Sequence, residues 1–238
     1  NLLGLPEKER ITYHGHHYAA FFSEEHKKEL KKIASGNSLF EAVEEWLERT
    51  PFLQLGKFNF LESYQKAVES MIRKEEEAIR SSKYLDEKEK KARLKMVGNT
   101  ETYFKSILQQ EVHEQKMEEG KIRLSYKATV AALMISLYNE EPLLQLPYRF
   151  LLCLIDIDEL LTTWRYRHAQ MVQRMLGRKV GTGGSSGHEY LHATAVKHHI
   201  FTDLHNISTL LIPRSELPDL PKEVEKQLGF YFSSLEDW

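Results

Sequence analysis

The pattern in this chain that most suggests chemistry surrounds His168. Steps of three, four and seven residues connect it to Leu161, Trp164, Val172, Met175 and Leu176, so on a helix one imidazole projects from an apolar wall. A single histidine on such a wall is most often a core residue whose polar atoms are satisfied. The neighbouring residues point to ligation instead. A haem is a flat hydrophobic disc that such a wall would cover, and a neutral imidazole supplies its axial bond. Trp164, one turn earlier, would lie beside the macrocycle or reach its edge with the indole N–H. Arg165, Arg167, Arg174, Arg178 and Lys179 are either propionate partners or solvated cations near a helix C-terminus.

Directly after this stretch comes Gly181-Thr182-Gly183-Gly184-Ser185-Ser186-Gly187. Glycines at this density permit close backbone approaches that side chains would block. Gly183 to Gly187 matches the hydrolase elbow G-x-S-x-G, but that elbow follows a strand, and a helical pattern precedes this one. No Lys-Ser/Thr pair follows at P-loop spacing either. Tyr190 and Leu191 resume a helical pattern, so the loop lies between ordered elements. Asp156 and Asp158 are two residues apart and face different directions on a helix; they read as salt-bridge or cap-seeking groups, not as a metal or catalytic pair. His14, His16 and His17, with His26 nearby, offer closely spaced imidazoles, yet no cysteine or evident carboxylate partner joins them, and an irregular loop is the simpler reading. Trp46 and Arg49 read as a core tryptophan and a solvated arginine rather than a ligand-binding pair.

The elements that position these residues are helical. Residues 1–36 read as polar with scattered aromatics, and helices take over after them. Ser38 with Glu41 forms a capping box before Leu39, Phe40, Val43, Trp46 and Leu47, and Thr50-Pro51 ends that run. From Phe58 to Gly120 apolar positions recur among Glu, Lys and Arg. They predict an antiparallel pair of long amphipathic helices, interrupted at Gly98-Asn99-Thr100. Ser125 caps a helix running to Glu141-Pro142, and after Pro147 a long helical pattern continues to Gly177. No segment reads as part of a paired set of strands, so the predicted fold class is all-α. With 238 residues and a formal charge of −2, the chain has enough length for a substantial core and no basic surplus for nucleic acid. The longest apolar run, Phe150 to Ile157, is too short for a membrane span. The one cysteine, Cys153, cannot form an internal disulfide and suits a reducing, cytoplasmic setting.

At larger scale the residues resemble a known family. Trp164-Arg165-Tyr166, His168, Met171-Val172, Arg174-Met175-Leu176-Gly177 and the loop from Gly181 to Gly187 are similar to tryptophan 2,3-dioxygenase. Asp156-Ile157-Asp158, Trp46-Leu47-Glu48-Arg49-Thr50-Pro51, Leu124-Ser125-Tyr126 and Leu211-Ile212-Pro213-Arg214 extend the likeness in order along the chain. The resemblance implies a helical haem-dioxygenase fold, of which residues 1–238 form the C-terminal portion of a single domain. Within it, residues 37–123 are amphipathic and charged helices, 124–213 carry the haem-proximal helices and the Gly-rich loop, and 214–238 form a tail.

It further implies haem b, active as Fe2+, with His168 as axial iron ligand. Trp164, Val172, Leu176, Gly183, Gly184, Ser185 and Tyr190 would line the cofactor, and Thr182 would contact the amino-acid end of the substrate. The implied reaction is cleavage of the indole C2–C3 bond of L-tryptophan by O2 to N-formylkynurenine. The rival readings are a related indole mono-oxygenase and a non-catalytic haem- or tryptophan-binding protein. No catalytic residue is expected in this portion, because the distal histidine, aromatic walls and a carboxylate-binding arginine belong to the family's N-terminal half. That half, or a complementing chain, is therefore an expected partner, as are copies of the chain in a homotetramer; nucleic acid and membrane are not. Human-type and insect members of the family usually have Asn at the position of Arg167 and Tyr at that of His188, and His192 and the His198-His199 pair also look atypical.

Overall fold

In a computed structural model, residues 3–6, 22–50, 53–55, 58–177, 191–193, 195 and 198–229 are described. The first helix, α1 (Glu24–Ser35), lies ahead of the point where helices were expected to take over. Its apolar side is thin, with Leu30 and Ile33 half-buried among charged residues, and local polar contacts hold its start. The Ser23 hydroxyl accepts the His26 N–H at 3.2 Å, and Lys27 pairs with Glu24 at 2.7 Å. The expected capping box opens α2 (Leu39–Glu48): Glu41 N–H donates to the Ser38 hydroxyl at 3.2 Å, and Ser38 N–H donates to the Glu41 carboxylate at 2.7 Å. A two-residue antiparallel pair, β1 (Gln54–Leu55) with β2 (Phe58–Asn59), follows. Strands this short show no alternating pattern, which is why the sequence did not reveal them.

The long charged stretch forms α3 (Phe60–Ser81), α4 (Glu87–Leu108) and α5 (Gln110–Glu118). Tyr64 near the start of α3 meets Phe104 near the end of α4, with ring centroids 6.5 Å apart, as an antiparallel pair requires. The break falls elsewhere than expected. Gly98, Asn99 and Thr100 continue α4, whereas the chain turns at 82–86, where Asp86 and Glu89 make a second capping box. Glycine inside a helix costs only about 1 kcal/mol relative to alanine. Burial of Val97, Phe104 and Leu108 on α4 outweighs that cost.

Ser125 caps α6 (Tyr126–Leu137), as its position suggested. The long helix α7 (Pro142–Leu176) starts five residues before Pro147. Proline suits the first helical position, since the N–H it lacks would have no helical partner there. Gly177, at φ 63°, ends α7 in a conformation that favours glycine. Beyond it lie α8 (Thr202–Asn206) and α9 (Lys222–Leu228), with short 3-10 turns at Ile207–Leu210 and Arg214–Glu216. Val224 and Leu228 are buried, so the expected tail contributes apolar packing. The all-α reading holds. Among the described residues no helix is long and apolar enough to cross a membrane.

The chain divides into two compact units, one drawn from residues 1–46 and 152–202, the other from 47–151 and 203–238. In the first, Phe40 stacks on Phe201 at 6.3 Å beside buried Leu154, Ala169 and Ile200. In the second, Phe60, Tyr64, Tyr138 and Phe104 form an aromatic core. A polar hub joins its helices. The Asp203 carboxylate accepts the Arg123 and Leu124 N–H groups at 2.7 and 2.8 Å, His113 Nε2 lies 2.9 Å from the Leu124 carbonyl, and the Ser125 hydroxyl donates to Glu48 at 2.6 Å.

Candidate functional site

α7 has two differently covered faces. Leu154, Asp158 and Ala169 are buried and Arg165 is half-buried; together they mark the side packed within the first unit. Cys153, Ile157, Leu160, Trp164, His168, Met171 and Met175 follow one another at steps of three and four residues along another side. All are exposed except His168, which is half-buried; Trp164 retains 62% exposure and Met175 retains 74%. A stripe this apolar on the surface of a soluble helix is unusual and marks a surface built to be covered.

His168 stands inside that stripe. It has no hydrogen-bond partner among the described residues, and its ring lies parallel to Trp164, with centroids 5.5 Å apart and 7° between planes. His113, by contrast, is fully buried: its Nε2 lies 2.9 Å from the Leu124 carbonyl, while its Nδ1 has no hydrogen-bond partner among the described residues.

The other expected site residues separate into three groups. Val172 is half-buried beside His168, and Leu176 closes α7. Arg167 and Arg174 are exposed cations, whereas Arg165 is half-buried and its guanidinium donates to the His198 carbonyl at 2.6 Å. Thr182, Gly183, Gly184, Ser185 and Tyr190, with Arg178, Lys179 and His188, lie outside the described residues, as do His14, His16 and His17. His26 is exposed, and no metal-holding cluster of His, Cys, Asp or Glu occurs among the described residues. Trp46 is half-buried and Arg49 exposed.

Asp158 bears out its cap-seeking character, while Asp156 is exposed. The buried Asp158 carboxylate accepts the Ile200 N–H at 3.0 Å to each oxygen and the Phe201 N–H at 3.2 Å, with His199 Nδ1 3.6 Å away. Sequence reading missed how far the open stripe extends, through Cys153, Ile157 and Leu160. Their three- and four-residue spacing was the signal available. Periodicity identifies an apolar face, though, and does not say whether anything covers it.

These features describe a helical protein with a half-buried imidazole, without a hydrogen-bond partner among the described residues, set in an exposed apolar stripe. Residues 1–211 match the family model for tryptophan 2,3-dioxygenase, and the chain belongs to that family. A tryptophan 2,3-dioxygenase from Bdellovibrio bacteriovorus is 43% identical over 97% of this chain and 64% of its own length. Those from Dictyostelium discoideum and Mus musculus are 41% and 38% identical, over 99% and 98% of this chain and 59% of their own length in each case. The chain thus spans about three-fifths of these relatives.

Proposed function

We propose that this chain forms the haem-proximal part of a tryptophan 2,3-dioxygenase that cleaves the indole ring of L-tryptophan with O2 to give N-formylkynurenine. The observation that carries this reading is the His168 imidazole, without a hydrogen-bond partner among the described residues, within an exposed apolar stripe. When bound, a ferrous haem b supplies the activation of O2, and both oxygen atoms enter the product. The donor set fits one side of such a group: His168 offers a nitrogen lone pair, while Trp164, Val172, Met171 and Met175 offer apolar cover. The Trp164 indole, stacked on the His168 ring at 7°, would move with that imidazole and would lie beside the cofactor or reach its edge with the indole N–H.

The remaining roles rest on the family pattern. Gly183, Gly184, Ser185 and Tyr190 complete the cofactor's surroundings, and Thr182 orients the amino-acid end of tryptophan through its hydroxyl and backbone N–H. The distal wall and the cover of the α7 stripe come from the rest of the enzyme or a complementing chain, assembled as a homotetramer in the cytoplasm. Their task is to hold the indole against O2 and exclude bulk water. His168→Ala in the full-length enzyme tests the central assignment. Stable haem binding is expected to be lost, and unchanged Soret intensity with unchanged iron coordination would refute it.

A further inference from the structure

We propose that Asp158 and Arg165 are positioning residues that fix the rotation and register of α7 and thereby set where His168 presents its imidazole; the inference rests on the haem-ligand reading above. α7 carries apolar residues on two sides, and the uncovered side, with Ile157, Leu160, Trp164, Met171 and Met175, is at least as apolar as the packed side. Hydrophobic burial is non-directional and does not by itself select which side turns inward.

Asp158 makes that choice. Its carboxylate, 6% exposed, receives the N–H groups of Ile200 and Phe201. Any other rotation would strand a buried charge or leave two buried donors unpaired. Arg165, seven residues later and about 10 Å further along the axis, donates to the carbonyl of His198. Two charged side chains on one side of α7 thus grip a segment of four consecutive residues, 198–201, through its backbone. Backbone groups provide contacts at fixed spacing, so sliding α7 along this segment would break both grips together. A polar residue in an otherwise apolar seam is an established way to specify register at some cost in stability. His168 lies ten residues beyond Asp158, about 15 Å along the helix and about 80° around it, so Asp158 acts on it only through the helix.

The test uses the full-length, haem-loaded enzyme with Asp158→Leu, Asp158→Asn, Arg165→Met and Arg165→Lys. Leucine keeps the apolar packing of that side but leaves the Ile200 and Phe201 N–H groups without their acceptor, so Asp158→Leu is expected to lower the melting temperature by several degrees. Its ferrous iron–histidine stretching band in the resonance Raman spectrum, recorded well below that melt, should also broaden or shift. With the iron ligand displaced by about 1 Å, kcat should fall by about a hundredfold while KM changes little. Asparagine keeps an acceptor oxygen and should restore most of the band. Should Asp158→Leu fail to fold, Arg165→Met carries the same comparison, with lysine as its rescue. A parental band and kcat in the leucine variant would overturn the inference, as would a band change that only tracks lost thermal stability and is not rescued. If His168→Ala retains the band, it is the haem-ligand reading that fails. Amide exchange in the haem-free full-length protein then decides on register: faster exchange in the leucine variant across α7 and 198–201, beyond that of the rest of the protein, supports it, and unchanged exchange there overturns it.

Discussion

Leu160 gives the sharpest test of the idea that the α7 stripe is a covered surface in the working enzyme. It is 68% exposed, and fully burying a leucine side chain contributes about 1.5–3 kcal/mol. About 1–2 kcal/mol therefore remains to be gained when the stripe is covered. Leu160→Ser should change the stability of residues 1–238 alone by no more than about 0.5 kcal/mol, as exposed substitutions do. In the haem-free full-length protein it should cost about 1–2 kcal/mol. Leu154→Ala serves as the internal control, because Leu154 is already buried and should cost about 2–5 kcal/mol in both settings. Urea unfolding followed by far-UV circular dichroism measures all four differences, with the slope checking that each transition stays cooperative. An equally small effect of Leu160→Ser in both proteins would refute the argument, because it would leave the stripe solvated in the complete enzyme as well.

Thr182→Ala should lower kcat/KM for tryptophan by about ten- to hundredfold, the loss of one hydrogen bond to a charged group; kinetics on haem-replete samples check this, and lost haem would reassign the residue. Burial raises the pKa of Tyr64 above its usual value of 10.0. The folded state then holds its proton where the unfolded chain releases it, so this contribution is complete below about pH 10 and is lost as pH rises further. Tyr64→Phe should flatten the alkaline fall in melting temperature while costing about 1 kcal/mol for the bond to the Leu210 carbonyl. Gly98→Ala should stabilise by about 1 kcal/mol, since an added Cβ meets nothing within 4 Å. Gly4→Ala should destabilise, because the Cβ would lie 2.5 Å from that of Phe40 at a φ of +88°; thermal melts compare the two.

The sequence was most legible where the determining contacts are local. The Ser38–Glu41 box and the Ser125 cap each act within three residues, and both stand as read. The helix α1 was missed because its apolar side is thin, Leu30 and Ile33 standing among many charged residues, while its serine cap and ion pair act locally. Gly98 misled because a helical penalty was taken for a helix end, while the actual turn is announced by Asp86 and Glu89, whose capping pattern went unread. Distance along the chain hid the rest. Asp158 was recognisable as a residue seeking backbone donors, but its donors lie 42 and 43 residues away. No local pattern assigns Arg165 to the His198 carbonyl. His168 was found through its apolar neighbours and the family likeness together; that those neighbours lack cover is visible only in the folded chain.

The two methionines of the α7 stripe give it a chemical vulnerability. Met171 and Met175, 50% and 74% exposed, carry thioethers about one and two turns beyond His168 on the same side of α7. Oxidation to sulfoxide would convert two apolar side chains into polar ones in the surface assigned to the cofactor. A mild dose of peroxide should therefore mark both residues when the stripe is open and spare them when it is closed. Mass spectrometry of that region would then serve as a gauge of assembly, and a population damaged before assembly would carry a lasting defect in cofactor uptake unless a sulfoxide reductase reversed it.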